Sequence, residues 1–243
     1  MTAAFLWGGL AASSVLLGGL VALRFRIGGR LLGLVLGFGA GVLISAVAYE
    51  LVEEAFVTSR SGGWVVGGLF AGALVFFGGD ELIDRMGGAQ RKSMGGEQED
   101  GTALAIVLGI VLDGIPESVV IGLTVLQGGS VSIAVLVAVF LSNFPEAVGA
   151  TSGLAVAGWR RANIIGLWAL VTLASALASL LGYALLGDAS ATTIAFVLAF
   201  AGGAILAMLA ETMIPEAYLR GGKAVGLATT LGFAVAFAVS VLD

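Results

Sequence analysis

Eight apolar runs follow one another along the chain, each close to the roughly 20 residues that an α-helix needs to cross a hydrocarbon core of about 30 Å. They are continuous rather than alternating with period two, so strands of an outer-membrane barrel, which face lipid and lumen in turn, do not fit them. Of 243 residues, 59% are apolar and 11% charged, against about a quarter charged in an average soluble domain. The pattern implies an all-α polytopic membrane protein, one transmembrane domain over 1–243, with no room for a soluble catalytic or nucleic-acid-binding domain.

The spans fall near 3–23, 31–55, 63–83, 102–127, 131–157, 161–186, 190–214 and 222–242. Basic residues gather in cytoplasmic loops, and all of the eleven except Arg60 lie in alternate loops: Arg24, Arg26 and Arg30; Arg85, Arg91 and Lys92; Arg160 and Arg161; Arg220 and Lys223. Both termini are therefore expected outside a cell (inner or plasma) membrane. The start, Met1-Thr2-Ala3-Ala4-Phe5, has no basic n-region and is read as a retained anchor rather than a cleaved signal. The Gly-rich, charged stretch 84–101 reads as a cytoplasmic loop, a solvated tether.

Two internal repeats stand out. Phe38-Gly39-Ala40-Gly41-Val42-Leu43 through Glu54-Ala55-Phe56 aligns without gaps on Phe200-Ala201-Gly202-Gly203-Ala204-Ile205 through Glu216-Ala217-Tyr218. Leu112-Asp113-Gly114-Ile115-Pro116-Glu117-Ser118-Val119 aligns on Leu141-Ser142-Asn143-Phe144-Pro145-Glu146-Ala147-Val148. In each case the two spans run in opposite directions on the charge map, giving a 3+2+3 inverted-repeat order. Many secondary transporters are built in this way, with the binding site near the midplane between repeats.

The acids inside the spans carry the chemistry. An ionised carboxylate near the bilayer centre costs at least about 2–3 kcal/mol, so it is usually paired, turned inward or part of an ion path. Asp113 and Glu117 are four residues apart and share one helical face; Asn143 and Ser142 lie three and four residues before Glu146 and can share another. Each motif holds a proline that deprives the carbonyl four residues earlier, Leu112 or Leu141, of its usual partner. Carboxylates and free carbonyls suit a cation, and no Lys, Arg or His at this depth neutralises them. The bland alternative is a protonated, hydrogen-bonded helix interface kinked by Pro-Glu. With no His and no Cys in the chain, imidazole and thiolate ligands are absent and oxygen must do the work. Glu50, Glu53 and Glu54 on span two, and Glu211 and Glu216 on span seven, are placed by the repeat at opposite mouths, where they would concentrate cations on entry and exit. Their bland reading is interfacial carboxylates reaching water.

Together these motifs resemble the ZIP (Zrt-, Irt-like protein) family of divalent-metal transporters over nearly the whole chain. Glu211-Thr212-Met213-Ile214-Pro215-Glu216-Ala217 is similar to its span-seven signature, and Glu50-Leu51-Val52-Glu53-Glu54-Ala55 to the span-two counterpart. The family's span-four motif reads His-Asn-x-Pro-Glu-Gly; Asp113 stands in the histidine position, Glu117 and Glu146 match the two glutamates, and Asn143 stands in a further polar position. The resemblance implies a metal site of Asp113, Glu117, Asn143, Glu146 and Ser142, import toward the cytoplasm by alternating access, zinc as the cargo, no prosthetic group, and a homodimer as a compatible state. This sequence departs from the family at Asp113-Gly114, in span six, which has no acid, and in the loop, which has no His cluster. The departures argue against a binuclear site, and a ligand set of carboxylates and an amide is relatively kinder to Mn²⁺ or Fe²⁺ than one with imidazole, Cd²⁺ being a further cargo to test. The competing readings are a metal-binding or sensing relative that has lost transport, and a proton-coupled carrier of another solute. An intramembrane enzyme finds no Ser/His arrangement here and only one close acid pair at depth.

Overall fold

The computed structural model describes residues 1–25, 27–88, 103–128 and 131–242. The described residues are helical throughout and hold no strand: α1 (Thr2–Arg24), α2 (Gly29–Ser59), α3 (Gly62–Ile83), α4 (Ala103–Gly128), α5 (Ile133–Val156), α6 (Arg161–Leu185), α7 (Ala191–Gly221) and α8 (Ala224–Leu242). Among the described residues, seven helices, all of these except α4, are long and apolar enough to cross a membrane. The tether expected over 84–101 lies outside the described residues from 89 onward, as do Arg26, Arg91 and Lys92.

The surface is inverted relative to a soluble protein. Phe70, Leu74, Leu219 and Leu227 are exposed while Asp113, Glu117, Ser118 and Ser142 are buried, a distribution that water would penalise and lipid favours. The molecule is consistent with a polytopic membrane protein.

Two helices outrun the hydrophobic boundaries of 55 and 214. α2 continues to Ser59 and α7 to Gly221, because the charged residues past the apolar stretch do not break a helix and instead pair along it: Thr58 donates to Glu54 at 3.2 Å, and Arg220 pairs with Glu216, each at i,i+4. The helices stop where the backbone turns left-handed, at Arg60 (φ 51°) and Gly222 (φ 63°).

Where the links are described they are short, and the helices they join run antiparallel. The end that carries the chain termini is marked by Ser179 donating to the Ala4 carbonyl and by Glu50, Ser132 and Ser240 coming together. At the other end, here the basic end, Arg220 lies over Gly29 and Gly33 at the start of α2. Side by side, α1 packs along α5 and α6, and α4 along α6; α2 packs along α8, and α3 along α7, with the far part of α7 against α2. The two sets, α1/α4/α5/α6 and α2/α3/α7/α8, meet chiefly where α2 crosses α5 and α4 meets α7. The pairings α2–α8 and α3–α7 are each closed by opposed glycines. A Cβ on Gly41 would fall on the Thr229 carbonyl and one on Gly232 on the Phe38 carbonyl; in the other pair, Gly72 faces the Phe200 carbonyl and Gly203 the Leu69 carbonyl. Only glycine allows backbones this close, and Gly41 and Gly203 occupy equivalent places in the sequence repeat.

Candidate cation site

α2 and α7 do not stay α-helical through their length. Each widens into a π-helical segment, Val47–Glu53 in α2 and Leu209–Met213 in α7, starting at positions that the repeat aligns with each other. Such insertions concentrate at functional sites because the extra residue re-aims side chains. In α7, Pro215 follows the wide turn, yet α2 has Glu53 at the aligned position and widens as well, so proline is not the common cause.

Between these segments α4 and α5 cross with their Pro-Glu motifs. Pro116 and Pro145 lie inside uninterrupted helices. Glu117 is 2% exposed. Its two oxygens are held by the other motif: Asn143 donates its amide to one oxygen at 3.1 Å, and the buried Ser142 hydroxyl reaches the other at 3.4 Å while also lying 3.1 Å from the Val139 carbonyl. Asp113, one turn from Glu117 on the same face of α4, is buried too, and both Asp113 and Glu146 are near enough to act on Glu117 as like charges. Ser118 folds back on the Gly114 carbonyl at 2.7 Å, within its own helix.

Two recesses approach this crossing from opposite ends. Toward the basic end, Leu36, Pro145, Glu146, Gly149, Thr212, Met213 and Glu216 line one that brings the half-buried Glu146 and Glu216 to the same space. Toward the terminal end, the other is lined by Leu43, Ala46, Val47, Leu51, Val120, Val135, Ala138, Val139 and Ile205, with Glu117 as its one polar residue. Glu117 thus adjoins an apolar recess, and Glu146 a recess that it shares with Glu216, itself paired with Arg220.

The remaining expected acids are distributed unevenly. Glu50 accepts from Ser132 at 2.9 Å and from Ser240 at 2.6 Å. Glu54 is engaged by Thr58 and Glu216 by Arg220, whereas Glu53 and Glu211 are exposed, Glu211 near Asp80 and Asp84 of α3 and its extension. Among the described residues no three Asp or Glu side chains converge tightly enough to hold an ion alone; the arrangement is a carboxylate, an amide and a hydroxyl in one knot, with the second motif's carboxylate beside it. Sequence reasoning missed Ser132 and Ser240, the pairing of Arg220 with Glu216, and both π segments. A serine just before an apolar run is a helix-cap signal that could have flagged Ser132; nothing in the pattern links it to Glu50, 82 residues away.

No family model matches the chain. A protein of Arabidopsis thaliana provisionally named as a zinc transporter is 29% identical over 215 residues, covering 86% of this chain and 34% of that protein. The chain therefore spans about a third of the length of this relative. The similarity supports the family resemblance carried by the motifs.

Proposed function

We propose that this chain moves a divalent metal cation across a membrane, as a ZIP-type transporter with eight spans in a 3+2+3 inverted repeat, both termini outside the cell (inner or plasma) membrane and the basic end in the cytoplasm. The observation that carries this reading is the knot at mid-helix, where Glu117 is buried and bonded by Asn143, with Ser142 close by and Glu146 on a recess that it shares with Glu216. Buried carboxylates on crossing helices at mid-membrane are common in ion paths. The cargo contacts would be Glu117 and Glu146 first, then Asp113, Asn143 and Ser142, oxygen and amide ligands that hard and borderline divalent ions accept. Zinc heads the list because the Arabidopsis relative is named for it; Mn²⁺, Fe²⁺ and Cd²⁺ follow on ligand chemistry.

Release toward the cytoplasm would pass the recess that Glu146 and Glu216 line at the basic end. Taking cargo from the other side then requires the α1/α4/α5/α6 set, which carries both Pro-Glu motifs, to shift against α2/α3/α7/α8. No step of this scheme makes or breaks a covalent bond, so the chain works as a carrier and not as an enzyme.

A second reading, binding without transport, has one observation in its favour: among the described residues no three acids converge on an ion in this arrangement. Uptake of Zn²⁺, Mn²⁺, Fe²⁺ and Cd²⁺ into proteoliposomes, run beside a Glu117→Gln, Glu146→Gln double variant, decides between them. Uptake that disappears in the double variant is the expected result; binding retained with no uptake above that blank selects the second reading.

A further inference from the structure

Glu50 sits on the π segment of α2, so its direction is set by the wide turn rather than by α-helical geometry. Its carboxylate joins three helices. Ser240 of α8, a helix of the same set as α2, donates to Oε1 at 2.6 Å. Ser132 donates to Oε2 at 2.9 Å, and Ser132 is the N-cap of α5, the helix that carries Glu146, Asn143 and Ser142. The same Ser132 oxygen accepts the Val135 backbone N–H at 3.3 Å. One hydroxyl therefore spends its proton on Glu50 and a lone pair on the end of α5, and the bond crosses from one helix set to the other.

The position equivalent to Glu50 in the second repeat is Thr212. Its hydroxyl donates to the Met208 carbonyl of its own helix at 2.8 Å, and Thr212 lines the basic-end recess beside Glu146 and Glu216. Equivalent places in the two repeats thus do different things: at one, a carboxylate ties the two helix sets together beside an apolar recess; at the other, a shorter side chain bonds within its own helix and borders a recess that holds two glutamates. Val135, whose N–H is held by the Ser132 cap, is itself part of the apolar lining over Glu117.

We propose that Glu50, anchored by Ser240 and grasping the Ser132 cap of α5, is the positioning residue that holds the terminal end shut and so decides when the buried carboxylate of Glu117 is reachable from that side. The proposal rests on the transport reading for its biological use, but access itself is measurable without transport. Motion of the α5 set against α2 must break the Glu50–Ser132 bond, since a hydrogen bond weakens steeply with misalignment or stretch, while Glu50–Ser240 rides along unbroken.

The chain has no cysteine, so a single introduced thiol reports alone. Val139→Cys, a near-isosteric change in the wall of the apolar recess, reports access to Glu117. Gly62→Cys, in open space at the α2–α3 link, is made in a separate protein and marks the terminal face. A membrane-impermeant maleimide is added in turn to each face of membranes carrying the Val139→Cys protein. Into that background go three changes at Ser132. Ser132→Ala removes both the donated bond and the cap. Ser132→Asp keeps a capping oxygen but sets a second carboxylate against Glu50, and Ser132→Thr keeps both bonds. Labelling of the recess thiol, from the face that labels the Gly62→Cys marker, is expected to rise at least fivefold in the Ala and Asp variants and to return to the parent rate in the Thr variant. Equal rates in all four proteins, each shown to be inserted and monodisperse, overturn the proposal; so does a rise in the Ala variant alone, which assigns the effect to loss of the cap. Zn²⁺ uptake measured on the same preparations separates the two claims. Labelling that responds to Ser132 in a protein with no uptake leaves the latch standing and the transport reading failed. Unresponsive labelling in a protein that transports does the reverse.

Discussion

Glu117 and Glu146 occupy the same place in two copies of one motif, yet the fold treats them as opposites. Glu117 is enclosed, one oxygen bonded by Asn143 and the other near the Ser142 hydroxyl, and the recess beside it is apolar. Glu146 is half-buried and faces a recess shared with Thr212 and Glu216. The cause lies in the residues around each glutamate. Asp113 and Gly114 stand in α4 where α5 has Ser142 and Asn143, so only α5 offers neutral donors to its partner. On the proposed transport reading, the two motifs are half-sites that a few substitutions have made into a holder and an outlet.

This contrast is broken most severely by removing the charges. Glu117→Gln is expected to bring Zn²⁺ uptake down to the double-variant blank, because it removes the one carboxylate that both motifs surround. Glu146→Gln is expected to leave measurable uptake with KM raised, since the holder remains. Initial rates in proteoliposomes check the pair, and equal behaviour of the two variants would end the distinction between holder and outlet.

The next largest effect is expected at Asn143. Its amide fixes one oxygen of Glu117 at 3.1 Å, the part that outer-shell partners play for ligating carboxylates, where loss typically costs about 10–100-fold in metal affinity. Asn143→Ala should weaken binding of Zn²⁺ within that range, measured by calorimetry on the detergent-solubilised protein. Asn143→Asp separates the two parts that Asn143 could play: no recovery assigns it to holding Glu117 through its donated bond, and recovery assigns it to direct contact with the cation.

The side chains that meet at the helix crossing were visible in the sequence because their signals were local. Pro-Glu spacing put Asp113 on the face of Glu117 and Ser142 and Asn143 near Glu146, and the same residues form the knot. What could not be read was long-range or conformational. That Asn143 and Ser142 would serve Glu117 across the helix crossing, rather than Glu146 along their own helix, depends on how α4 meets α5. The π segments leave no trace in hydropathy, because widening a turn changes direction and not polarity. The acids at the mouths were visible as acids, but Arg220 beside Glu216 and the two serines on Glu50 were not, since i,i+4 partners and distant hydroxyls look like ordinary surface residues. Hydropathy also ended α2 and α7 too early, because it measures where lipid stops rather than where the backbone turns.

A milder perturbation acts on α5 alone. Gly39 of α2 lies against the second motif: a Cβ there would come within 3.2 Å of the Leu141 carbonyl and 3.0 Å of the Met213 Cε. The aligned residue in α7 is Ala201, buried without a glycine's clearance. Gly39→Ala should therefore press on the Ser142–Asn143 turn with no counterpart on the α4 side. The flexible Met213 tip can yield, and the carbonyl cannot, so a stability loss of about 1–2 kcal/mol is expected, at the lower end of overpacking costs. Thermal unfolding in detergent, beside the parent protein, measures it, and an unchanged midpoint would show that α5 has slack at this crossing.

Ser142→Ala should do least. The Ser142 hydroxyl lies 3.4 Å from Glu117 and 3.1 Å from the Val139 carbonyl of its own helix, so its single proton is better placed for the carbonyl. A neutral hydrogen bond contributes about 1 kcal/mol net, and one near the limit of bonding distance contributes less. The alanine variant should thus change Zn²⁺ affinity no more than about threefold, far below the loss at Asn143. A loss as large as that of Asn143→Ala would mean that Ser142 turns its proton to Glu117 once the cation is bound, and that the holder is built from both α5 donors rather than from the amide alone.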